Sequence, residues 1–402
     1  MFNFFKRSHN NNHDVLHRLG LGVDTASGQA VNSRTAQALP AVHCAVSVLA
    51  EAVASLPVHV YNQSNDVRTR AQNHHIERLL NQSPNYNGVT AYDFKLALMR
   101  SMLLRGNAFA RIEYDGTGKP NQLVLLHPES VIIRQDYGKL LGYQIALENG
   151  KFKNLLKEEM LHLKYHTDDG IEGRSPIQIC REAIGLGLAQ QDHGANLFKN
   201  GVRPSGVFET DYMFKDENHI NRLKQSLASA NTGSSNAGKI LLLENGLKFK
   251  PISLSNQDAE WLDARNFSVV DVARMFKLSP IFLQDYSNSS YANFTEASRA
   301  FLGQTLRPLL TNIQQECTNK LLSDRYRPNT IIEFNTADLL RANSTERYEV
   351  YDAAIRNGVM CPNEVRRAEN MPPRDGGDEF SQSWIQKGEA LSEGNDDGNE
   401  TL

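Results

Sequence analysis

The chain has few cysteines, and no two of them are spaced as a metal or redox motif requires. Only four occur in 402 residues, and no C-x-x-C pair is present. Zinc ribbons need such pairs, and small disulfide scaffolds need a higher density of cysteine. The sequence therefore predicts free thiols in a reducing compartment, at Cys44, Cys180, Cys317 and Cys361.

The chain also lacks a net positive charge and a long apolar run. Its formal net charge is −3, so no broad cationic surface is available to recruit nucleic acid. No window approaches about 18 uninterrupted apolar residues, the length that a transmembrane helix requires. The N-terminal MFNFFKRS has too short an apolar run for a signal peptide. We therefore expect a protein that is made and kept in the cytoplasm, or in a particle assembled there.

Catalytic motifs are missing as well, apart from one imperfect match to a phosphate-binding loop. The segment from Gly233 to Lys239 fits G-x-x-x-x-G-K, but Ile240 stands where a serine or threonine would bind Mg²⁺. A phosphate loop follows a strand and begins a helix, whereas this segment follows a helix predicted from about Asp216 to Ala230 and begins a predicted strand. No G-x-S-x-G, H-E-x-x-H or EF-hand pattern is present. The sequence predicts a flexible loop at this position and no enzyme.

The histidines and the acidic residues show no metal-binding pattern. His162 and His166 share a run with strand character, which places them about 13 Å apart. His74 and His75 are adjacent and should point apart on a helix surface. The segment from Asp168 to Gly170 has the composition of a turn. We therefore predict no metal site and no cofactor.

A mixture of helical and strand patterns is present instead. With 40% hydrophobic residues, the chain can bury a core and should form two or more packed units. Residues 1–34 are rich in Asn, His and Gly without periodicity, and are predicted to be flexible. A helix is predicted from about Ala38 to just before Pro57, with Pro40 in its first turn. A strand is predicted at Val58–Gln63.

A second helix and a series of strands follow. Thr90 and Asp93 have the spacing of a capped helix start, and Gly106 is placed to end that helix. Runs with strand character, separated by turn sequences, then predict one β-rich region covered by helices. These runs are Asn107–Tyr114, Gln122–His127, Ser130–Gln135, Gly142–Leu147 and Met160–His166.

A long helix is predicted to begin the C-terminal half of the chain. Ser175 is a good N-cap with Pro176 at the first helical position, and the helix should reach Asn200. Three interior glycines, each costing about 1 kcal/mol against alanine, need an explanation. Either this helix crosses another closely within the subunit, or it packs tightly against copies of itself. The three glycines are Gly185, Gly187 and Gly194.

A small α/β insert and two further helical runs follow. The insert holds strands at Ser205–Thr210, Lys239–Gly246 and Leu247–Leu254, the last two joined by the hairpin signal Asn245-Gly246. Apolar residues then recur at helical spacing, first from Asn256 to Leu278 and again from Phe294 to Leu322.

The second of these two runs is unusually long, and the segment before it is polar. It would span about 43 Å at about 1.5 Å per residue, and Pro308 inside it should kink it. The segment Asp285–Asn293 has no aliphatic anchor and little charge. We therefore predict that it is exposed to solvent or to a polar partner.

Four linked segments resemble the portal proteins of tailed bacteriophages, of the siphophage type with a compact crown. Their order and spacing carry the resemblance, which covers nearly all of residues 35–380, although no single segment is a chemical motif. The Ser and Asn content of the polar segment and an acidic tail without an evident counterpart are small departures. The segments are Arg174–Thr210, Gly238–Leu283, Ser290–Leu322 and Asn357–Asp378.

The resemblance implies an α+β fold built as in portal proteins. That fold has an α/β wing, a helical stem, a small α/β clip, a long tunnel helix and a short helical crown. The implied boundaries are a flexible N-terminus at 1–34, wing at 35–174, descending stem helix at 175–200, clip at 201–255, ascending stem helix at 256–279, tunnel loop at 280–293, tunnel helix and wing return at 294–342, crown at 343–375 and a disordered acidic tail at 376–402.

The resemblance also implies a function in the virion. About twelve copies would form a ring at one capsid vertex, serving as the channel for packaging and ejection of double-stranded DNA. The ring would be a docking platform for the terminase large subunit and then for the head-tail connector. It would also contact the major capsid protein and the scaffold. Assembly would take place in the host cytoplasm, without enzyme activity, cofactor or membrane.

Two groups of residues would serve these roles. The stem glycines would pack one subunit against its neighbour in the ring, and the tunnel loop would make weak, nonspecific DNA contacts. The alternatives are another ring or connector protein of the virion, or a packaging ATPase that uses the segment Gly233–Lys239. The predicted channel residues are Asn288, Ser289, Ser290, Tyr291 and Asn293.

Overall fold

The fold mixes helices with small antiparallel sheets, as predicted, and divides into two compact units. The first unit spans Met1–Glu333 and the second spans Phe334–Leu402. Within the described residues, no helix combines the length and the apolar character needed to cross a bilayer. The computed structural model describes residues 23–64, 67–147, 150–199, 206–209, 248–251, 269–287, 291–336, 344–369 and 371–381.

The strands form two-stranded and three-stranded sheets. The three-stranded sheets have the orders β10-β5-β6, β13-β3-β4 and β7-β8-β9, and the two-stranded sheets are β1-β2 and β11-β12. The strands are β1 (Val23–Asp24), β2 (Ala30–Val31), β3 (Val58–Ser64), β4 (Val67–Arg70), β5 (Asn107–Tyr114), β6 (Pro120–Leu126), β7 (Val131–Asp136), β8 (Lys139–Ala146), β9 (Phe152–Leu156), β10 (Met160–Lys164), β11 (Gly206–Glu209), β12 (Lys248–Pro251) and β13 (Thr330–Phe334).

The helices cover the sheets of the first unit and build the described part of the second. A π-helical segment, Phe301–Leu306, lies between two of the α-helices. The helices are α1 (Pro40–Ser55), α2 (His75–Asn81), α3 (Ala91–Arg105), α4 (Pro176–Ile179), α5 (Arg181–Lys199), α6 (described over residues 269–275), α7 (Tyr291–Ala300), α8 (Arg307–Leu321), α9 (Ser344–Arg356) and α10 (Pro362–Ala368).

Helices α1 and α3 pack along each other and confirm the predictions made for them. In α1, Val42 and Val46 are fully buried, as their spacing predicts. Helix α3 begins at the predicted cap, where the Thr90 side chain accepts a hydrogen bond from the Asp93 N–H at 3.1 Å. It ends at Gly106, whose φ of 80° is the left-handed conformation that glycine adopts most readily.

The β-rich region has the predicted strands and one that was not predicted. Strand β5 matches its predicted range, and β6, β7, β8 and β10 match theirs within a few residues. Strand β9 was missed because only Leu155 of its five residues is buried, so its sequence shows no alternation. Leu155 joins a small core between the sheets, together with Phe109, Tyr143, Ile145 and Met160.

The prediction that residues 1–34 are flexible is wrong for residues 23–34. Strands β1 and β2 form a short hairpin in which the Thr25 N–H donates to the Gln29 carbonyl at 3.0 Å. The hairpin binds α5, since the Ala26 N–H donates to Glu182 Oε2 at 2.9 Å and Gln29 Nε2 to Asp192 Oδ2 at 2.9 Å. Contacts this distant in sequence leave no local periodicity from which they could be predicted.

The predicted long helix from Phe294 to Leu322 is present as one continuous helical run over residues 291–321, with a π-helical segment inside it. Helix α7 begins at Tyr291, three residues before the predicted start, and gives way to the π-helical segment before α8 begins at Arg307. Pro308, the second residue of α8, has no N–H to bond the carbonyl one turn earlier. The wide π turn lies where that bond is missing, so Pro308 gives the π-helical segment a physical cause.

The second unit contains α9 and α10, joined by a partly buried ion pair. Arg347 Nε lies 2.8 Å from Glu369 Oε1, and the Tyr351 hydroxyl donates to the same oxygen at 3.1 Å. Glu364 caps α10 by accepting the Cys361 N–H at 2.9 Å. The prediction that the tail 376–402 is disordered is wrong at its start, because the Asn363 N–H of α10 donates to the Gly377 carbonyl at 2.8 Å. Residues 382–402 lie outside the described residues.

Candidate functional site

The predicted channel loop is approached through a tight turn at the end of α6. Lys277 adopts a left-handed conformation, with φ of 55°. The Leu278 N–H donates back to the Ala273 carbonyl at 2.8 Å, and the Lys277 N–H donates to the Arg274 carbonyl at 3.1 Å. This pattern closes a helix C-terminus and turns the chain sharply. We call residues 276–287 the polar turn.

Apolar contacts hold the first half of the polar turn against the first unit. Residues Pro280–Leu283 form a 3-10 helix in which Ile281 and Leu283 are buried. The centroid of the Phe282 ring lies 4.7 Å from the centroid of the Phe301 ring and 6.5 Å from that of the Phe294 ring. The turn is therefore packed against the start of the long helical segment that follows it.

Tyr286 and Ser287 at the end of the polar turn are exposed, as predicted for that part of the segment Asp285–Asn293. Gln284 is left-handed, with φ of 64°, and accepts a hydrogen bond from the Tyr286 hydroxyl at 2.9 Å. Asp285 Oδ1 accepts the hydroxyl and the N–H of Ser287 at 2.7 and 3.1 Å, and these bonds lower the pKa of the Asp285 carboxyl. The turn thus presents a phenol, a hydroxyl and one carboxylate to solvent.

The predicted channel residues divide between two regions. Asn288, Ser289 and Ser290 lie outside the described residues, so the structure does not place them. Tyr291 and Asn293 belong to the first turn of α7 rather than to the predicted loop. Because their backbone is part of the helix, the loop ends before Tyr291.

The glycines of α5 meet different surroundings. A methyl group on Gly185 would lie 2.8 Å from Thr25 Cβ and 2.7 Å from Thr25 Cγ2, so the β1-β2 hairpin requires a residue without a side chain there. This contact accounts for Gly185 within the subunit. Gly187 and Gly194 are also buried, and about 20° apart around the helix. Packing of these two against another copy stays a prediction.

A cleft of about 460 Å³ separates α5 from α6. Gly187 lies on its α5 side, and Val272 and Met275 lie on its α6 side. The cleft is open, and Leu186 on its rim exposes 55% of its surface. The two helices therefore do not close on each other along this face.

The arrangement of His74 and His75 differs from the one predicted for them. His74 caps α2 from outside the helix, so the two rings do not point apart but lie tilted against each other, with centroids 4.5 Å apart. His162 is fully buried and hydrogen-bonded, whereas His166 is exposed. In the part of the chain that the structure describes, no three His, Cys, Asp or Glu side chains are grouped as metal ligands.

The segment from Asp168 to Gly170 forms the predicted turn, and the cysteines are the predicted free thiols. Asp169 Oδ1 accepts the Ile171 and Glu172 N–H groups at 2.8 and 3.0 Å, which makes a turn. All four cysteines are free thiols. The segment Gly233–Lys239 and the hairpin signal Asn245-Gly246 lie outside the described residues.

Sequence reasoning missed the left-handed residues of the polar turn. Lysine and glutamine carry no preference for positive φ, so nothing in the sequence marks Lys277 or Gln284 as the points where the chain reverses. It also missed the contact by which Thr305 Oγ1 donates to the Lys277 carbonyl. No periodicity connects residues that lie on different elements.

Comparison with known proteins gives a consistent result. A sequence model described as "Phage portal protein" matches residues 40–370. A probable portal protein of Streptomyces phage phiC31 is 30% identical over 367 residues, which cover 88% of this chain and 79% of that protein. The portal protein of Enterobacteria phage HK97 is 26% identical, and the match covers 87% of this chain and 82% of that protein.

The fold is similar to solved structures over most of the chain. A chain in the neck of an empty gene transfer agent particle is 24% identical, with a TM-score of 0.65, and the match covers 90% of this chain and 99% of that chain. The crystal structure of an HK97 family phage portal protein from Corynebacterium diphtheriae is 16% identical, with a TM-score of 0.53 and a match covering 78% and 99%. These likenesses support the same mixed fold.

Proposed function

The chain belongs to the phage portal protein family, and from this premise we propose that it assembles into a ring of about twelve copies around a DNA channel. The ring would occupy one capsid vertex of the virion. Double-stranded DNA would enter through it during packaging and leave through it during ejection. The protein would act as a structural channel without catalytic activity of its own.

The order of elements around the polar turn carries this proposal. Strand β11 follows α5, and β12 precedes α6; Gly206 pairs with Pro251 across the two strands. The chain thus leaves and re-enters the intervening insert at neighbouring positions, so the insert can protrude from a pair of helices. The polar turn and α7 follow α6 directly.

The proposed parts of the subunit follow from that order. The insert would be the clip, and α5 and α6 would be the stem. The exposed end of the polar turn, together with Asn288, Ser289 and Ser290, would reach the channel. The remaining parts keep the ranges 35–174 for the wing, 294–342 for the tunnel helix and wing return, and 343–375 for the crown.

The proposed partners are those that such a ring must contact. The clip would bind the terminase large subunit during packaging and the head-tail connector afterwards. The wing would contact the major capsid protein and the scaffold. DNA would be held weakly, because the net charge of −3 provides no broad cationic surface and hydroxyl and amide groups exchange their contacts readily with water.

Particle mass tests the proposed ring. Native mass spectrometry and negative-stain imaging of the purified chain should give a ring with a central hole and about twelve subunits. A stable monomer under conditions that keep the chain folded would contradict the proposal. ATP hydrolysis by the purified chain would instead support the packaging ATPase.

The channel position of the loop can be tested by adding charge. Replacing Asn288, Ser289 and Ser290 with Lys adds about three positive charges per subunit, each able to hold a phosphate. Rings should still form, because changes on an exposed loop have small effects on stability. We expect DNA packaging to slow, most strongly at low ionic strength, where phosphate contacts are least screened.

A matched control separates this effect from a general change in charge. Tyr137 is fully exposed in the turn between β7 and β8, far from the loop in sequence, and Tyr137→Lys adds a charge there. This variant should package at the normal rate. Normal packaging by the loop variant at low salt, with rings confirmed, would place the channel elsewhere.

A further inference from the structure

A basic pocket lies where three elements of the first unit meet. It has a volume of about 160 Å³ and is formed by the end of β10, the polar turn and the junction between the π-helical segment and α8. Six of its ten lining residues are Lys, His, Gln, Thr or Asn, and none of the ten is acidic. We call this site the basic pocket; its polar lining residues include Lys164, His166, Lys277, Gln304, Thr305 and Asn312.

Two residues of the basic pocket have unusual backbone conformations. His166 has φ of 39° and Lys277 has φ of 55°. Side chains other than glycine rarely adopt positive φ, and such positions concentrate at functional sites. In the described chain, the other non-glycine residues with positive φ are Asn73, Tyr137 and Gln284, so this pocket holds both of the basic ones.

Hydrogen bonds from the helical side fix the backbone that carries the two lysines. Thr305 Oγ1 donates to the Lys277 carbonyl, and Asn312 Nδ2 donates to the Lys164 carbonyl at 2.7 Å. Each lysine therefore extends from a backbone position that is held by a side chain from the opposite wall. A site organised in this way loses less entropy when a ligand binds than a site on a mobile loop.

The Lys277 ammonium disfavours a positive charge on His166, its neighbour in the basic pocket. Burial and then the neighbouring Lys277 ammonium lower the pKa of His166, while Asp168 acts in the other direction. Asp168 is itself paired with Arg174 at 2.9 Å. Among the described residues, neither Lys164 nor Lys277 forms an ion pair. A bound anion would relieve this repulsion.

We propose that the basic pocket binds a phosphate group. Two ammonium groups, an imidazole and the Gln304 amide provide several donors around one small volume, and a phosphate presents several strong acceptor oxygens, whereas a carboxylate presents two. The phosphate could come from a nucleic-acid backbone or from free phosphate. The nucleic-acid source rests on the proposed function, whereas binding of free phosphate does not.

Calorimetric titration with inorganic phosphate tests the site. The full-length chain at low ionic strength should bind phosphate, and Lys277→Asn should weaken binding at least about tenfold by removing one charge. Asparagine is chosen because it tolerates the left-handed conformation of Lys277. Lys164→Gln should weaken binding likewise. Lys139→Gln, on an exposed lysine of β8, removes the same charge outside the pocket and should leave binding unchanged.

A short DNA duplex distinguishes the two sources. If the duplex competes with inorganic phosphate in the wild type but not in Lys277→Asn, the phosphate belongs to nucleic acid. If phosphate binds and the duplex does not compete, the pocket holds free phosphate, and both results support the proposal. Ring formation is measured on the same samples, so phosphate binding by a chain that forms no ring would contradict the proposed function alone.

Several results would overturn the phosphate site. One is the absence of phosphate binding by folded wild-type protein. Another is equal binding by wild type and Lys277→Asn at unchanged melting temperature. Loss of rings in Lys277→Asn, without phosphate binding by the wild type, would also overturn it and assign the lysine to a contact between copies.

Discussion

Gly173→Ala should destabilise the first unit by at least about 3 kcal/mol, because the added methyl group meets backbone atoms that cannot move aside. It would lie 2.8 Å from the Tyr165 nitrogen and well inside contact distance of the Gly106 carbonyl oxygen. The Gly106 carbonyl accepts the Tyr165 N–H at 2.9 Å. Thermal unfolding, followed by circular dichroism, should show a large decrease in melting temperature or no folded protein.

Gly173 cannot move to accept a methyl group because the Asn107 side chain forms hydrogen bonds with its backbone. Its Nδ2 donates to the Gly173 carbonyl at 2.9 Å, and its Oδ1 accepts the Gly173 N–H at 2.8 Å. A shift of Gly173 would break both buried bonds. Gly116→Ala is the matched control, since a methyl group there meets nothing within 4 Å. A melting temperature equal to that of wild type in Gly173→Ala would contradict this account of the packing.

The second large effect concerns His162 and the dependence of stability on pH. Asn107 Oδ1 accepts hydrogen bonds, so His162 Nε2, 2.9 Å away, must carry the proton. Nδ1 then accepts the Tyr143 hydroxyl at 3.1 Å. Burial, with further contributions from Lys164 and Lys320, holds the pKa of His162 well below 6.5.

This depressed pKa sets the sign of the effect. Below about pH 6.5 the unfolded chain binds a proton at His162 that the folded chain does not. The contribution of His162 to the free energy of unfolding is therefore fully present above that pH and is lost as the pH falls. The slope from this one residue reaches about 1.4 kcal/mol per pH unit. Chemical denaturation of the wild type at about pH 7 and about pH 5 should show the decrease.

His162→Gln should reduce the pH dependence while keeping both hydrogen bonds. The glutamine amide can donate to Asn107 Oδ1 and its carbonyl can accept the Tyr143 hydroxyl, but it does not titrate. A smaller slope remains, because the pKa values of His59, His74, His75 and His166 are also lowered. An unchanged slope in the variant would show that His162 does not contribute.

Local signals predicted much of the first unit. Helix α3 was predicted because its cap at Thr90 and its end at Gly106 are properties of adjacent residues. Strand β5 was predicted because an apolar run with strand formers follows a clear helix end. Strand β9 and the β1-β2 hairpin were not predicted, since their order depends on pairing and on contacts with α5 rather than on their own pattern.

The candidate site was predicted only in outline. An exposed polar segment between two helices follows from composition, and Tyr286 and Ser287 are exposed as expected. The basic pocket could not be predicted, because it brings Lys164, Lys277 and Asn312 together from three elements far apart in sequence. Its left-handed residues follow from those contacts and not from any preference of lysine or histidine.

The π-helical segment sets the azimuth of α7 about the common helix axis. An α-helix turns by about 100° per residue, and each wide turn takes up one residue more than an α turn. The residues from Phe301 to Leu306 therefore decide which side of α7 carries Phe294 towards Phe282. On the C-terminal side of the π-helical segment, Asn312 of α8 donates a hydrogen bond to the Lys164 carbonyl of β10. One residue more or fewer in this short segment would turn α7 by about 100° and carry Phe294 away from Phe282.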